Sequence, residues 1–229
     1  MRLSVVIPVY NERLTIERLL AKVDAVDIEK ELVIVDDDST DGTRDLLSAM
    51  TQPDRVVVFH DTNQGKGAAL RTGFNRACGE YVIVQDADLE YDPDDYVCLL
   101  NEAVQHNAAV VYGTRFSGPR PAMALQNWIG NRVLTGATNV LYGAALTDME
   151  TCYKLIRRDV LQSIEIESNR FNVEPEVTAK LLMQGLTIRE VPVSYVGRTR
   201  AEGKKISALD FISALWTLVR LRFGRQTGR

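Results

Sequence analysis

Five short, unbroken apolar runs rich in β-branched residues constrain the first half of the chain more than any other feature. They lie at residues 3–9 (LSVVIPV), 31–36 (ELVIVD), 55–60 (RVVVFH), 81–85 (YVIVQ) and 109–113 (AVVYG). A strand with one wet face alternates polar and apolar residues, whereas a strand apolar at nearly every position is covered on both faces. Between the runs the spacing turns helical. Residues 15–24 carry Ile16, Leu19, Leu20 and Val23 on one face, and further helices are expected over 43–50, 67–77 and 94–106. Buried strands alternating with helices define an α/β fold with a mostly parallel central sheet.

After Gly113 this rhythm breaks. A Gly/Pro loop over 116–124 leads to a predicted helix at 124–142 and a short strand at 153–156. A helix at 173–184 is closed by Gly185, short strands flank Pro192 at 187–191 and 193–195, and an apolar helix covers 207–223. With neither repeat nor linker visible, residues 1–205 are expected to form a single domain, and residues 206–229 a C-terminal amphipathic helix with a basic tail. A chain of 229 residues, 45% apolar, can bury a core without a disulfide or metal staple. Cys78, Cys98 and Cys152 are scattered without CxxC spacing, so they are expected to be small buried hydrophobes in a reducing compartment. The two histidines, His60 and His106, are too few for a His-rich metal site. No apolar run reaches the length of a membrane span, and the N-terminal run leads straight into Asn11-Glu12 as a strand would, unlike a signal peptide.

The net charge of −4 conceals an asymmetry. Residues 198–229 carry eight basic and two acidic side chains, a net +6, which leaves −10 on residues 1–197. The isoelectric point near 5.3 disfavours a nucleic-acid partner, while the basic tail points to some other anion at the C-terminal end.

In an open parallel sheet, ligands bind at the carboxyl ends of the strands. Four consecutive strand ends here are polar: Pro8-Val9-Tyr10-Asn11-Glu12, Asp36-Asp37-Asp38-Ser39, 61–67 (DTNQGKG) and Asp86-Ala87-Asp88-Leu89-Glu90. The carboxylates of Asp86 and Asp88 repel one another unless a cation sits between them, and oxygen-only donors suit Mg²⁺ or Mn²⁺. The plainer alternative is that an acid here caps the next helix. Lys66 stands between two glycines at a helix start, where backbone N–H groups and a lysine suit an anion; equally, Gly65 and Gly67 can simply shape a tight turn. Neither the Walker nor the Rossmann glycine pattern is present. Arg198, Arg200, Lys204 and Lys205 surround Gly203 in a segment able to close over a diphosphate, or to remain a solvated basic loop.

Taken in order, SVVIPVYNE, IVDDDSTDGT, NQGKGAALRTGF and QDADLEYDP resemble the family 2 glycosyltransferases of GT-A fold, a Rossmann-like nucleotide-diphospho-sugar transferase domain. TDMETCYKLIRRDVL, FNVEPEVTAKLL, VPVSYVGR and EGKKI resemble the branch that makes dolichyl- or polyprenyl-phosphate mannose or glucose; the resemblance spans residues 3–206. It implies an inverting transfer of a hexose from a GDP-mannose- or UDP-glucose-type donor to a polyprenyl (dolichyl or undecaprenyl) phosphate. It places the nucleoside against Pro8, Tyr10, Glu12 and Asp37, with the metal on Asp86 and Asp88 and Glu90 as a third ligand. It assigns Arg198 and Lys204 to the donor diphosphate, with Lys66 adding charge, and Arg115 and Arg132 to the acceptor phosphate.

A phosphate acceptor is largely ionised at neutral pH and needs no general base. If the acceptor is instead a hydroxyl on a soluble glycan or small molecule, Asp148 and Glu150 are the candidate bases, with helix capping or orientation of arginines as their alternative role. A polyprenyl acceptor further implies a membrane surface, met by the helix at 207–223, and a peripheral location on the cytoplasmic face. Relatives often continue into membrane spans beyond this point, so the chain is expected to be either peripheral or a piece of a longer protein. A nucleotidyltransferase is disfavoured because VIPVYNERL lacks a glycine-rich loop, and a non-catalytic phosphate or metal sensor would leave the arginines idle.

Overall fold

The computed structural model describes residues 2–117, 123–198 and 208–224. Its first half follows the alternation in the sequence: β1 (Leu3–Val9), α1 (Ile16–Ala25), β2 (Lys30–Asp36), α2 (Thr43–Ser48), β3 (Arg55–Phe59), α3 (Lys66–Arg76) and β4 (Tyr81–Val84). A 3₁₀ turn at Pro93–Asp95 then leads into α4 (Tyr96–Gln105) and β5 (Val110–Thr114). Asp92 caps that turn, its carboxylate accepting from the Asp94 N–H. The second half holds α5 (Leu125–Tyr142), β6 (Lys154–Arg157), α6 (Arg158–Gln162), α7 (Val173–Met183), β7 (Arg189–Pro192) and α8 (Ala208–Phe223).

The seven strands form one sheet in the order β3-β2-β1-β4-β6-β5-β7. Every neighbouring pair is parallel except those of β6, which runs antiparallel to both β4 and β5. The apolar runs explain the core. Leu3, Val5, Ile7, Leu32, Ile34 and Ile83 have no exposed surface, because helices cover both faces of the sheet.

Two expectations need correction and one element is added. Residues 193–195 form no strand of the sheet; they contribute one isolated bridge, Tyr91 to Tyr195. The helix α6 follows β6 without a loop, where the residue pattern is too short to show it. Of the cysteines only Cys152 is buried, while Cys78 is exposed and Cys98 is intermediate.

The C-terminal helix packs on the body of the domain. Ala214 and Leu218 join Leu134, Leu146, Met149 and Ala179 in a second, smaller core beneath α5 and α7, and the Tyr142 hydroxyl donates to the Leu218 carbonyl at 2.7 Å. Its other face is open, with Ile212, Trp216 and Phe223 all exposed. Among the described residues no helix is long and apolar enough to cross a membrane.

Candidate active site

The carboxyl ends of β1, β2 and β4 open into a cavity of about 850 Å³. Three non-glycine residues in the turns after these strands, Asn11, Asp38 and Leu89, adopt left-handed backbone at φ of 54°, 65° and 61°. Such turns are uncommon outside glycine and tend to occur where a chain must present side chains sharply. Pro8, Tyr10, Glu12, Asp37, Lys66, Asp86, Asp88, Glu90, Arg115 and Arg198 all line this cavity.

Asp86 and Asp88 are each matched by a cation from elsewhere in the chain. Lys66 Nζ lies 2.8 Å from Asp86 Oδ1 and 3.2 Å from Glu174. Burial would lower the lysine's pKa, but Asp86 and Glu174 outweigh it and hold the ammonium well above its usual range. Arg198 spans two acids, with Nη2 3.1 Å from Asp88 and Nη1 3.2 Å from Glu12. Burial, with Asp86 and Glu90 nearby, still pushes Asp88 up to about 7. Crowded carboxylates that resist ionisation favour added positive charge, and the all-oxygen donor set of Asp86 and Asp88 fits a hard divalent cation. Glu90, the expected third ligand, lines the same cavity but is engaged within the protein: its carboxylate accepts from the Tyr195 hydroxyl at 2.7 Å and the Arg198 N–H at 2.6 Å. Among the described residues no group of three or more His, Cys, Asp or Glu is placed to hold a metal, so the expected third ligand is not assembled.

The loop carrying Lys66 is built from Asp37. The Asp37 carboxylate accepts from the N–H groups of Gln64 and Gly65 at 2.9 and 2.7 Å, and it meets His60 Nδ1 at 2.7 Å. Its side chain therefore sits beneath the loop. The glycines around Lys66 are required by a close approach. A Cβ on Gly67 would lie 2.1 Å from the Ser168 carbonyl oxygen, and one on Gly65, at φ 97°, would lie 2.4 Å from that of Asn169. The N–H groups of Gly67 and Ala68 donate to the Asn169 carbonyl, so they are consumed within the protein and do not form the anion nest that the sequence suggested. Glu176 secures the covering loop by accepting from the N–H groups of Glu167 and Ser168. Burial would raise the pKa of Glu176, but Lys180 and these donors lower it.

Arg115 and Asp148 form a buried pair. Arg115 Nε and Nη2 donate to the two Asp148 oxygens at 2.6 and 2.7 Å, and the Arg115 N–H and Asn131 Nδ2 donate as well. Burial would raise the pKa of Asp148, yet these partners bring it below its usual range. A saturated carboxylate of lowered pKa is a poor general base, and Asp148 does not line the cavity. Arg115 does line it, with its guanidinium 4.9 Å from the centre of the Tyr195 ring. Arg132 does not: it is exposed, 5.7 Å from the centre of the Phe116 ring, and donates to the Thr147 carbonyl at 3.4 Å. Lys204 lies outside the described residues.

The cavity also contains residues the sequence did not single out: Cys152, Arg170, Phe171, Glu174 and Tyr195. Among the described cations lining it, Arg170 alone has no carboxylate partner, since Lys66, Arg115 and Arg198 are each paired. Helices α5 and α8 also line the cavity, with Ile129, Gly130, Phe211 and Ala214 beside the polar Gln126, Asn127, Asn131 and Asp210.

A mostly parallel sheet with one inserted antiparallel strand, and paired aspartates after its central strand, has the architecture of a GT-A glycosyltransferase. Residues 4–165 match the model of glycosyl transferase family 2, and the chain belongs to that family. It is 31% identical to polyprenol monophosphomannose synthase of Mycolicibacterium smegmatis, over 99% of this chain and 91% of that protein. It is 28% identical to dolichol-phosphate mannosyltransferase of Pyrococcus furiosus, covering 89% of this chain and 59% of that one. An undecaprenyl-phosphate 4-deoxy-4-formamido-L-arabinose transferase of Pseudomonas aeruginosa is 30% identical, over 94% of this chain and 63% of its own length. The chain thus spans less than two thirds of the latter two. The solved structure of glucosyl-3-phosphoglycerate synthase from Mycobacterium tuberculosis, in complex with Mn²⁺, UDP and phosphoglyceric acid, superposes with a TM-score of 0.71. At 20% identity, over 99% of this chain and 80% of that one, this likeness shows the fold.

Proposed function

We propose that the protein moves a hexose from a nucleotide-diphosphate sugar, of GDP-mannose or UDP-glucose type, to a polyprenyl phosphate, with inversion at the anomeric carbon. One observation carries this reading: a single cavity is lined both by the Asp86–Asp88 pair and by α5 and α8, where Ile129, Phe211 and Ala214 give it apolar wall. Such a cavity suits a polar donor together with a lipid-linked acceptor. The names of the relatives support the same acceptor class.

In this reading Pro8, Tyr10 and Glu12 hold the nucleoside, and Asp37 positions the loop beside it. Asp86 and Asp88 would hold Mg²⁺ or Mn²⁺, which supplies charge neutralisation to the departing diphosphate when bound. Lys66 and Arg198 exchange their carboxylate partners for diphosphate oxygens, and Lys204 is assigned to the same group. Asp148 takes the Nε and one Nη2 N–H of Arg115 and so orients the guanidinium, whose remaining N–H groups receive the acceptor phosphate. Arg132 stands outside the cavity and meets the acceptor at most on its approach. The acceptor oxygen is already ionised at neutral pH, so no residue needs to remove a proton from it.

The acceptor's membrane would be met by α5 and α8. Leu125, Ile129 and Val133 are spaced four apart along α5, and with Ile212, Trp216 and Phe223 of α8 they are exposed. Arg222, and Arg220 beside its exposed ion pair with Glu167, would add positive charge near anionic lipid. The protein would then act as a peripheral enzyme on the cytoplasmic face.

The test is glycolipid formation from a panel of UDP- and GDP-sugars with a short polyprenyl phosphate, with Mg²⁺ or Mn²⁺ and with chelator. A glycolipid from one donor, lost on chelation, is expected. Transfer only to soluble glycans would overturn the acceptor assignment. That second reading is favoured by Glu150, a cavity-lining carboxyl that burial, with Glu174 and Asp148 nearby, raises to about 7, the range of a working base.

A further inference from the structure

Nearly every acid that lines the cavity is already committed. Asp86 holds Lys66, Asp88 and Glu12 hold Arg198, and Glu174 holds Lys66 and Lys154. Asp37 is spent on the loop above it, and Glu90 on Tyr195 and Arg198. Glu150 is the exception. It lines the same cavity, yet among the described residues its carboxyl has neither a hydrogen bond nor an ion pair. Its Oε1 is buried without any partner. Native proteins rarely leave such an atom unmatched, and where they do, a functional role or a bound water or ion is the usual reason.

The surroundings restrict what that donor can be. The two cations that act on it are already matched, Lys154 by Glu174 and Arg115 by Asp148. Burial, more than the neighbouring acids, disfavours its charged form, and with both of those cations already matched the donor left to satisfy Oε1 is a neutral hydrogen-bonding group. On the reading that Asp86 and Asp88 mark the donor diphosphate, the next group along the donor is the hexose. Its hydroxyls are neutral donors of the required kind.

We infer that Glu150 is a sugar-recognising residue that accepts a hydrogen bond from a hydroxyl of the transferred hexose. This rests on the proposed function and deepens it. Asp86, Asp88, Lys66 and Arg198 then hold what all nucleotide sugars share, and Glu150 reads what distinguishes them. A site whose buried acceptor is left empty by the wrong ligand discriminates more strongly than one relying on shape alone.

The experiment compares the full chain with Glu150→Gln and Glu150→Ala. Calorimetric titrations use UDP, GDP, UDP-glucose and GDP-mannose in the presence of Mg²⁺, and turnover is measured with the donor that the wild type accepts. Glu150→Gln keeps the size of the side chain and an acceptor oxygen, and thermal melts confirm that both variants fold. Binding of the nucleoside diphosphate should change by less than about twofold. Binding of the matching nucleotide sugar should weaken about tenfold or more in Glu150→Ala and less in Glu150→Gln, as expected for loss of one buried hydrogen bond. Equal effects on nucleotide and nucleotide sugar, or no effect on either, would overturn the inference. So would a loss of kcat in Glu150→Gln with donor binding unchanged, which would make Glu150 a general base. A wild type that binds none of the four ligands would instead refute the proposed function, and the inference with it.

Discussion

Glu150 has a consequence for stability that is independent of any substrate. A glutamate is ionised above about 4.5 in the unfolded chain, whereas burial, despite the pull of Lys154 and with Glu174 and Asp148 opposing ionisation, places the folded value at about 7. Between these values the folded state holds a proton that the unfolded state has released. Stability is therefore fully present below the unfolded pKa and declines as pH rises towards the folded one. Glu150→Gln cannot ionise and should escape the loss. The variant is expected to melt at a higher temperature than the wild type at pH 8 and to differ little at pH 5. Parallel melting curves at both pH values would show that Glu150 titrates normally. At this scale the sequence was partly legible. Asp86 and Asp88 declared themselves because both stand at one strand end, two positions apart. The state of Glu150 was hidden, because it depends on Lys154 and Arg115 already being claimed by Glu174 and Asp148. The same holds for Asp148, a candidate base by position that becomes the clamp of an arginine 33 residues earlier in the chain.

The element that most changes the meaning of its sequence is the N-terminus of α3. Glycine, lysine and glycine at a helix start are compatible with an anion nest, and local chemistry alone cannot separate that from close packing. The distinction is made by residues 164–172, a segment one hundred positions away that lies across the helix start and takes its N–H groups on the Asn169 carbonyl. Glu176 on α7 fixes that segment, and Arg71 on α3 ties it down by donating to the Ile166 carbonyl at 3.1 Å. Gly67→Ala would drive a methyl group into the Ser168 carbonyl, so the covering segment or the helix start must move. Overpacking of this kind costs about 1–3 kcal/mol. Lys66 is adjacent, so the variant should also bind nucleoside diphosphate more weakly than the wild type. Unchanged melting and unchanged nucleotide binding would mean that the segment is not held against α3 in solution. Strand order was hidden for a similar reason. The run 153–156 reads as a short strand, but nothing in four residues states that it enters between β4 and β5 in the opposite direction.

On the scale of the molecule, the placement of α8 links the cavity to a surface. The helix serves two environments at once: Ala214 and Leu218 are buried on the domain, while Ile212, Trp216 and Phe223 face outward. The amphipathic spacing was visible in the sequence, but its partner α5 was not, because the exposure of Leu125, Ile129 and Val133 depends on how α5 meets α8. Both helices line the cavity and also expose apolar side chains, which under the proposed function would bring a lipid-linked acceptor from a bilayer to the site. If that is their role, Ile212→Ser with Trp216→Ser should abolish most cosedimentation with anionic vesicles, since inserting each side chain is worth about 1.5–3 kcal/mol. Exposed positions of this kind contribute little to folding, typically within about 0.5 kcal/mol, so the thermal melt should be nearly unchanged. Binding by the wild type should weaken in high salt, as expected if Arg220 and Arg222 meet charged headgroups. Transfer to a vesicle-embedded acceptor should fall with vesicle binding, while transfer to a short, water-soluble polyprenyl phosphate should persist. Equal loss with both acceptors would place the two side chains in the acceptor site itself, and undiminished cosedimentation would remove α8 from the membrane contact altogether.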